Sequence, residues 1–105
     1  MPAFSHNVFF TLTDDARGSG GADELVAGAK EYLPGHDGVV FFACGTREET
    51  MQRDVNDRDF DVALVMVFAS KAEHDAYQTA ERHLTFIERN KASWKTVRVF
   101  DSECG

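Results

Sequence analysis

The sequence is poor in cysteine and in basic residues. Its two cysteines, Cys44 and Cys104, are far apart and form neither a Cys-x-x-Cys motif nor a zinc-ligand spacing. We interpret them as free thiols, and a disulfide bond between them is an alternative only if folding brings them together. Eleven basic against eighteen acidic residues give a net charge of -7, which repels phosphate backbones and anionic lipid. Nucleic acid is therefore not an expected partner.

Long apolar runs and a basic, apolar leader are also missing. The sequence thus offers nothing for membrane insertion or secretion, and we expect a cytoplasmic protein with no membrane partner. What it does contain is 43% hydrophobic residues, nine of them Phe, in 105 residues. This is the length of one domain, residues 1–105, with enough apolar surface to form a Phe-rich core.

Two kinds of pattern predict four strands. Residues 6–12 (HNVFFTL) alternate in polarity and place His6 on the apolar face, together with Phe10. The other predicted strands are apolar runs of β-formers, with polar or glycine residues at their ends. The four predicted strands cover residues 6–12, 39–44, 61–68 and 96–101.

Helical spacing predicts two helices. Residues 23–33 have apolar residues at helical intervals before Pro34-Gly35, and residues 70–90 begin with a capping box, Ser70 with Glu73. Residues 14–21 are a loop by composition, and residues 47–59 form a charged connection. The order β-α-β-β-α-β predicts an α+β ferredoxin-like fold, a four-stranded antiparallel sheet with helices on one face. The second and third strands are apolar on both faces, which predicts a homodimer packed through the open sheet face.

The helix predicted at 70–90 carries two histidines and a tyrosine. On a straight helix His83 falls in the apolar stripe, and His74 falls on the solvated face. Tyr77 would lie about 120° from His83, so the two side chains share a pocket only if the helix bends or breaks between them.

Several short motifs, in order and at the right spacing, resemble those of the stress-responsive α/β-barrel domain (Dabb) family over nearly the whole chain. They are His6-x-Val8-x-Phe10, Gly38-Val39 with Gly45, Phe60-Asp61 through Phe68-x-Ser70, then Tyr77, His83, Phe86 and Val99-Phe100-Asp101. The resemblance implies a dimeric α/β barrel. Family members commonly have a His-Pro step before the matched histidine, whereas this chain reads Thr79-Ala80-Glu81-Arg82. It also carries a glycine-rich insertion, residues 18–21, that shortens the first helix.

One plant member of the family is a polyketide cyclase that works without a cofactor, through a tyrosine and a histidine. The resemblance therefore implies that Tyr77 and His83 are the acid/base pair, with His6 and Asp101 beside them. A histidine can take and return a proton near neutral pH, a tyrosine can hold an enolate oxygen, and a carboxylate can fix a histidine tautomer. Without the family, a core histidine is the more frequent role for His83.

Taken together, we predict a pocket between sheet and helices that binds a small, apolar, oxygen-bearing ligand. Tyr77 and His83 would be catalytic, His6, Asp101, Phe10 and Phe86 would complete the pocket, and no cofactor or metal is expected. A set of His6, His83 and Asp101 would also suit a metal ion, but this is the less favoured interpretation. The predicted activity is a cofactor-free cyclase or lyase, and the alternatives are a non-catalytic stress-protective or ligand-binding barrel and a cofactor-free monooxygenase. His36 is assigned to a turn and His74 to solvent.

Overall fold

Four strands form one antiparallel sheet in the computed structural model, which describes residues 2–105. Every neighbouring pair of strands is antiparallel, and the spatial order is β2-β3-β1-β4. The strands are β1 (Ala3–Leu12), β2 (Val39–Thr46), β3 (Val62–Phe68) and β4 (Trp94–Cys104). The predicted α+β ferredoxin-like fold is confirmed. β1 and β4 are longer than the predicted segments because their ends pair with each other from Ala3 with Cys104 to Leu12 with Trp94.

The helices lie on one face of the sheet, as the fold class requires. They are α1 (Asp14–Gly18), α2 (Gly21–Tyr32), α3 (Lys71–Gln78) and α4 (Glu81–Asn90), followed by a 3-10 turn, Lys91–Ser93. The prediction of a loop at residues 14–21 was wrong except at residues 19 and 20, since α1 covers Asp14–Gly18 and α2 begins at Gly21. The Thr13 hydroxyl accepts a hydrogen bond from the Ala16 amide and starts α1, an effect that outweighs the glycine-rich composition.

The predicted single helix at 70–90 is two helices. α3 ends at Gln78, and Ala80 is extended, with φ −65° and ψ 140°, before α4 begins. Each of the two helices buries two residues that are three positions apart in the sequence. On one straight helix the two pairs would point to opposite sides, so the break is what lets both pairs face the sheet. The start at Lys71 is as predicted, but the Ser70 hydroxyl donates to the Glu73 carboxylate instead of capping an amide.

Alternation along the inner strands decides which side chains enter the core. In β1 and β3 the even-numbered side chains point to the helices and are buried, and the odd-numbered ones point away. Phe68, Met66 and Leu12 are among the largest fully buried side chains. On the opposite face Phe41 and Phe100 are each 53% exposed. The sheet therefore has one covered apolar face and one open apolar face.

The charged connection between β2 and β3 lies on the open side. Asp57 in this segment accepts a hydrogen bond from Arg98 of β4 at 2.8 Å, and Asp57 lines a surface hollow with Phe9, Phe60 and Phe100. The segment lines none of the space between sheet and helices. Within residues 2–105, no helix combines the length and the hydrophobicity that crossing a membrane requires.

Candidate functional site

A cavity of about 170 Å³ lies between the sheet and helices α3 and α4. Its volume is close to that of a protein cavity that admits benzene, about 150 Å³. Most of the wall is apolar or aromatic, with two histidines, a tyrosine and an amide as the polar groups. The lining residues are His6, Val8, Phe10, Leu64, Tyr77, Gln78, His83, Phe86, Ile87, Trp94, Val97 and Val99.

Tyr77 and His83 face each other across the break between α3 and α4. Their ring centroids are 4.4 Å apart, and both side chains are buried. The break thus brings the pair together although the residues before His83, Thr79-Ala80-Glu81-Arg82, include no proline. Burial raises the pKa of Tyr77, and its hydroxyl has no hydrogen-bond partner among the residues described. Tyr77 is therefore a protonated donor that is free to bind a ligand oxygen.

The tautomer of His83 follows from its backbone contact. His83 Nδ1 lies 3.1 Å from the carbonyl oxygen of Gln78, and a carbonyl only accepts, so Nδ1 carries the proton. Nε2 is then the unprotonated nitrogen. Burial lowers the pKa of His83, and the neighbouring His6 adds to that effect, while the hydrogen bond to Gln78 opposes it. His83 is thus neutral near pH 7 and able to take a proton through Nε2.

Asp101 contacts His6 and not His83. The two residues are directly opposite each other in the β1–β4 ladder, and Asp101 Oδ1 accepts from His6 Nδ1 at 2.6 Å. Burial lowers the pKa of His6, although the Asp101 carboxylate acts in the opposite direction. Asp101 fixes the tautomer of His6, whose ring lines the cavity wall.

His74 is the main correction to the sequence interpretation. We expected it on a solvated helix face, yet it is only 8% exposed. Its ring lies 4.4 Å from the Phe4 ring and 4.7 Å from the His6 ring. Because α3 is separate from α4, it buries His74 and Tyr77. The apolar stripe calculated for one continuous helix at 70–90 therefore does not apply to it.

The fourth histidine, His36, lies in the predicted turn after α2. Its Nε2–H donates to the Tyr32 carbonyl oxygen at 3.0 Å, and its ring lies 5.0 Å from the Tyr77 ring. All four histidines of the chain therefore surround Tyr77, since the His6 and His74 rings lie 6.2 and 6.5 Å from it.

Trp94 and Gln78 line the cavity but were not singled out from the sequence. The Trp94 indole Nε1–H is buried and has no hydrogen-bond partner among the described residues, so it offers a second donor beside the cavity. The only signal in the sequence was the position of this single Trp just before the last strand. The glycine-rich residues 18–21 do not line the cavity.

A four-stranded antiparallel sheet with helices on one face places the chain among ferredoxin-like α+β domains. Within that class, residues 4–104 match the family model of the stress responsive A/B barrel domain, Dabb. The chain belongs to the Dabb family, as the sequence motifs predicted. A comparison with curated proteins found no match.

Solved structures with the same fold match nearly the whole chain. A Dabb family protein from Mesorhizobium loti has a TM-score of 0.72 at 21% identity, covering 97% of this chain and 96% of that one. A dimeric ferredoxin-like protein of unknown function from Thermobifida fusca has a TM-score of 0.78 at 12% identity, with 97% and 91% covered. A proposed antibiotic biosynthesis monooxygenase from Chloroflexus aurantiacus has a TM-score of 0.71 at 14% identity, with 98% and 93% covered. At these identities the likeness concerns the fold.

Proposed function

We propose that this protein binds a small, apolar, carbonyl-bearing molecule between sheet and helices and performs cofactor-free acid/base chemistry on it, of the cyclase or lyase type. The observation that carries the proposal is the contact of Tyr77 with His83 at 4.4 Å on the wall of an apolar cavity. One group is a donor that burial keeps protonated, and the other is a base that burial keeps neutral.

The chemistry begins with a proton on the carbon next to a carbonyl group. Nε2 of His83 removes this proton, and the Tyr77 hydroxyl donates a hydrogen bond to the oxygen on which negative charge develops. In a cyclase the enolate carbon then attacks a second carbonyl of the same molecule. In a lyase His83 would instead take the proton of a hydroxyl group on the β carbon, the bond between the α and β carbons would break to give a new carbonyl group and an enolate, and Tyr77 would hold the enolate oxygen. The protonated His83 finally returns the proton, so neither path needs an oxidant or a reductant.

The cavity size limits the ligand. About 170 Å³ admits roughly one ring with a short substituent. Val97 and Val99 of β4 belong to the cavity wall and are 40% and 49% exposed, so the cavity opens along the β4 edge. We infer that a larger ligand would extend out at this edge, with its reacting carbonyl near Tyr77.

We further propose that the protein is a homodimer that associates through the open sheet face. Phe41 and Phe100 are half exposed there, and a pair of apolar faces of this kind is a common solution for a sheet covered on one side. The Thermobifida fusca protein, which has the same fold, is described as dimeric. The cavity lies on the other side of the sheet, so association would leave it accessible. The cytoplasmic location stays a prediction.

Two observations favour the non-catalytic alternative. The backbone contact from His83 to Gln78 also satisfies a histidine that merely fills a core, and the cavity is smaller than most ligand pockets, which are about 300–1,000 Å³. A stress-protective or ligand-binding barrel would share this geometry. A cofactor-free monooxygenase is the third candidate, supported by the fold of the Chloroflexus aurantiacus protein.

Binding and proton transfer can be measured separately. A thermal-shift screen of small aromatic ketones and β-diketones would identify ligands, because a compound that binds the native state raises its melting temperature. Exchange of the methyl protons of acetophenone for deuterium, followed by NMR, would then report proton removal. We expect the wild-type protein to catalyse this exchange and the His83→Asn variant to lose about 100-fold or more of the rate.

The matched control is His36→Asn, which removes a histidine beside Tyr77 that does not line the cavity. Its exchange rate should equal that of the wild type. Binding without exchange would support the non-catalytic alternative against the proposed chemistry. Failure of every compound to bind, or equal exchange by the wild type and His83→Asn, would refute the proposal.

A further inference from the structure

We propose that His6, His74 and Asp101 form a binding site for one divalent transition-metal ion, such as Zn²⁺. One nitrogen of each imidazole and one carboxylate oxygen lie within 4.8 Å of one another. The three residues come from three elements, β1, α3 and β4, which the fold brings to one point. This inference does not depend on the proposed acid/base chemistry.

The distances suit a shared ion after small side-chain rotations. Two ligands of a tetrahedral zinc ion are about 3.4 Å apart, since each lies about 2.1 Å from the metal. His6 Nδ1 and Asp101 Oδ1 are already 2.6 Å apart, and the His6 and His74 rings are centred 4.7 Å from each other. An ion would replace the proton that His6 Nδ1 now donates to Asp101 and would separate these two atoms slightly. It would also turn the His6 and His74 rings so that one nitrogen of each, among the atoms that lie within 4.8 Å of one another, points to the ion.

Groups around His74 are arranged as they are around metal-bound histidines. A ligating imidazole usually donates its other N–H to a carboxylate, which fixes the ring and makes the ligand nitrogen more basic. His74 Nδ1 lies 3.1 Å from Asp75 Oδ1, and Lys71 holds Asp75 through its other oxygen at 2.6 Å. His74 Nε2 would then be the ligand atom, and the Gln78 amide, now 3.2 Å from it, would move aside.

Burial and ligand chemistry together select the kind of ion. The His6 and His74 side chains are 7% and 10% exposed, whereas Asp101 is 39% exposed, so an ion could enter from the solvent side of Asp101. Two imidazoles and one carboxylate suit Zn²⁺, Fe²⁺, Co²⁺ or Ni²⁺, while Mg²⁺ prefers oxygen ligands. Water or a ligand oxygen would occupy the remaining positions. Because His6 also lines the cavity, the ion would lie at the cavity wall.

The set differs from the one that the sequence suggested. His83 is held by the Gln78 carbonyl and does not belong to the three-residue cluster. His74 replaces it because the break after α3 turns His74 inward beside His6. Metal binding by a His83 variant therefore shows which of the two sets of ligands holds the ion.

The test is a Zn²⁺ titration of tag-free protein after treatment with a chelator, followed by calorimetry. We expect one ion per chain, a Zn²⁺ affinity at least 10-fold weaker in His74→Gln and in Asp101→Asn, and no heat with Mg²⁺. His36→Gln and His83→Gln are the matched controls and should bind Zn²⁺ as the wild type does. Absorption of Co²⁺ in the visible range, lost in the two ligand variants, would report coordination directly.

A structural effect of the substitutions can be distinguished from loss of a ligand. If circular dichroism shows that His74→Gln does not fold, Asp101→Asn still tests the site, because the Asp101 side chain is 39% exposed and is not part of the core. Asp75→Asn, which removes the orienting carboxylate and keeps every ligand, should weaken binding about 10- to 100-fold. Absence of Zn²⁺ binding, or equal affinity in the wild type, His74→Gln and Asp101→Asn, would overturn the proposal. So would equal weakening by His36→Gln.

Discussion

The two faces of the sheet are both apolar, yet they differ in their polar groups. The face under the helices buries His6, His74, Tyr77 and His83 among aromatic rings. The open face has phenylalanines, the uncharged polar side chains of Ser5 and Asn7 and, at its margin, the ion pair of Asp57 with Arg98. Titratable side chains that lack a full counter-charge lie on the face from which water is excluded. Charged side chains lie on the face that water reaches. The covered face is thus suited to a ligand, and the open face is suited to another protein surface.

The largest expected effect comes from opening the covered face at its centre. Phe68 is fully buried and its ring lies 5.1 Å from the Tyr77 ring and 5.5 Å from the His74 ring. Phe68→Ala should lower the free energy of unfolding by about 3–5 kcal/mol, because it leaves a cavity. Urea unfolding followed by circular dichroism would measure this loss.

The control for Phe68→Ala is Leu84→Ala, since Leu84 is 51% exposed on α4. That change should alter the free energy of unfolding by no more than about 0.5 kcal/mol. Similar losses in the two variants would mean that the covered face is not the core that stabilises this domain.

A smaller effect is expected from adding charge to the open face. Phe41 pairs with Val67 across β2 and β3 and is 53% exposed. In a two-fold dimer each substitution appears twice, so Phe41→Glu would place two carboxylates in the apolar interface. We expect the dissociation constant of the dimer to rise about 100-fold, or about 2.7 kcal/mol. Light scattering coupled to size-exclusion chromatography would show monomer at micromolar concentration.

Leu84→Glu is matched to Phe41→Glu in exposure and in the added charge, but it lies on the helix side. This variant should remain dimeric. A dimer that survives Phe41→Glu and dissociates with Leu84→Glu would place the interface on the helices, contrary to our proposal.

The fold was predictable because each strand carries a local signal, which is alternation in residues 6–12 and an apolar run of β-formers in the others. Residues 6–12 gave the correct face for His6 and Phe10, and the element order gave the antiparallel sheet. The helix at 70–90 failed because sequence periodicity assumes a continuous axis. Ala80 carries no local signal for the extended conformation that separates α3 from α4, and only packing against the sheet explains it.

Most residues of the candidate site were predictable because they belong to the family motifs in the sequence. Tyr77, His83, His6, Phe10 and Phe86 all line the cavity, and Asp101 reaches it through His6. His74 was missed because its burial depends on the helix break, and Trp94 was missed because nothing marks a cavity wall in its local sequence. Whether these residues bind or transform a ligand stays a prediction.

The smallest of these effects is a dependence of stability on pH that belongs to the covered face. Burial lowers the pKa of His6 and of His83 in the folded protein, while both would titrate near 6.5 in the unfolded chain. Below pH 6.5 the unfolded chain therefore binds more protons than the folded one, so the free energy of unfolding decreases as the pH is lowered. To equal a 3 kcal/mol loss, a single histidine would need a shift of more than two pKa units.

Melting temperatures between pH 7.5 and 5.5 would isolate this contribution. The groups that face His83 are Tyr77, His6, His36 and His74, and none of them is an acid that would compensate its charge. We expect a lower melting temperature at pH 5.5 and a weaker dependence in His83→Asn. On the open face the Arg98 guanidinium lowers the pKa of Asp57 from 3.8, so that ion pair stays charged throughout this range. A melting temperature that rose on acidification would mean that the contact of His6 with Asp101 stabilises the charged form by more than burial of His6 and His83 disfavours it. The contrast in polar groups between the two faces would then not hold.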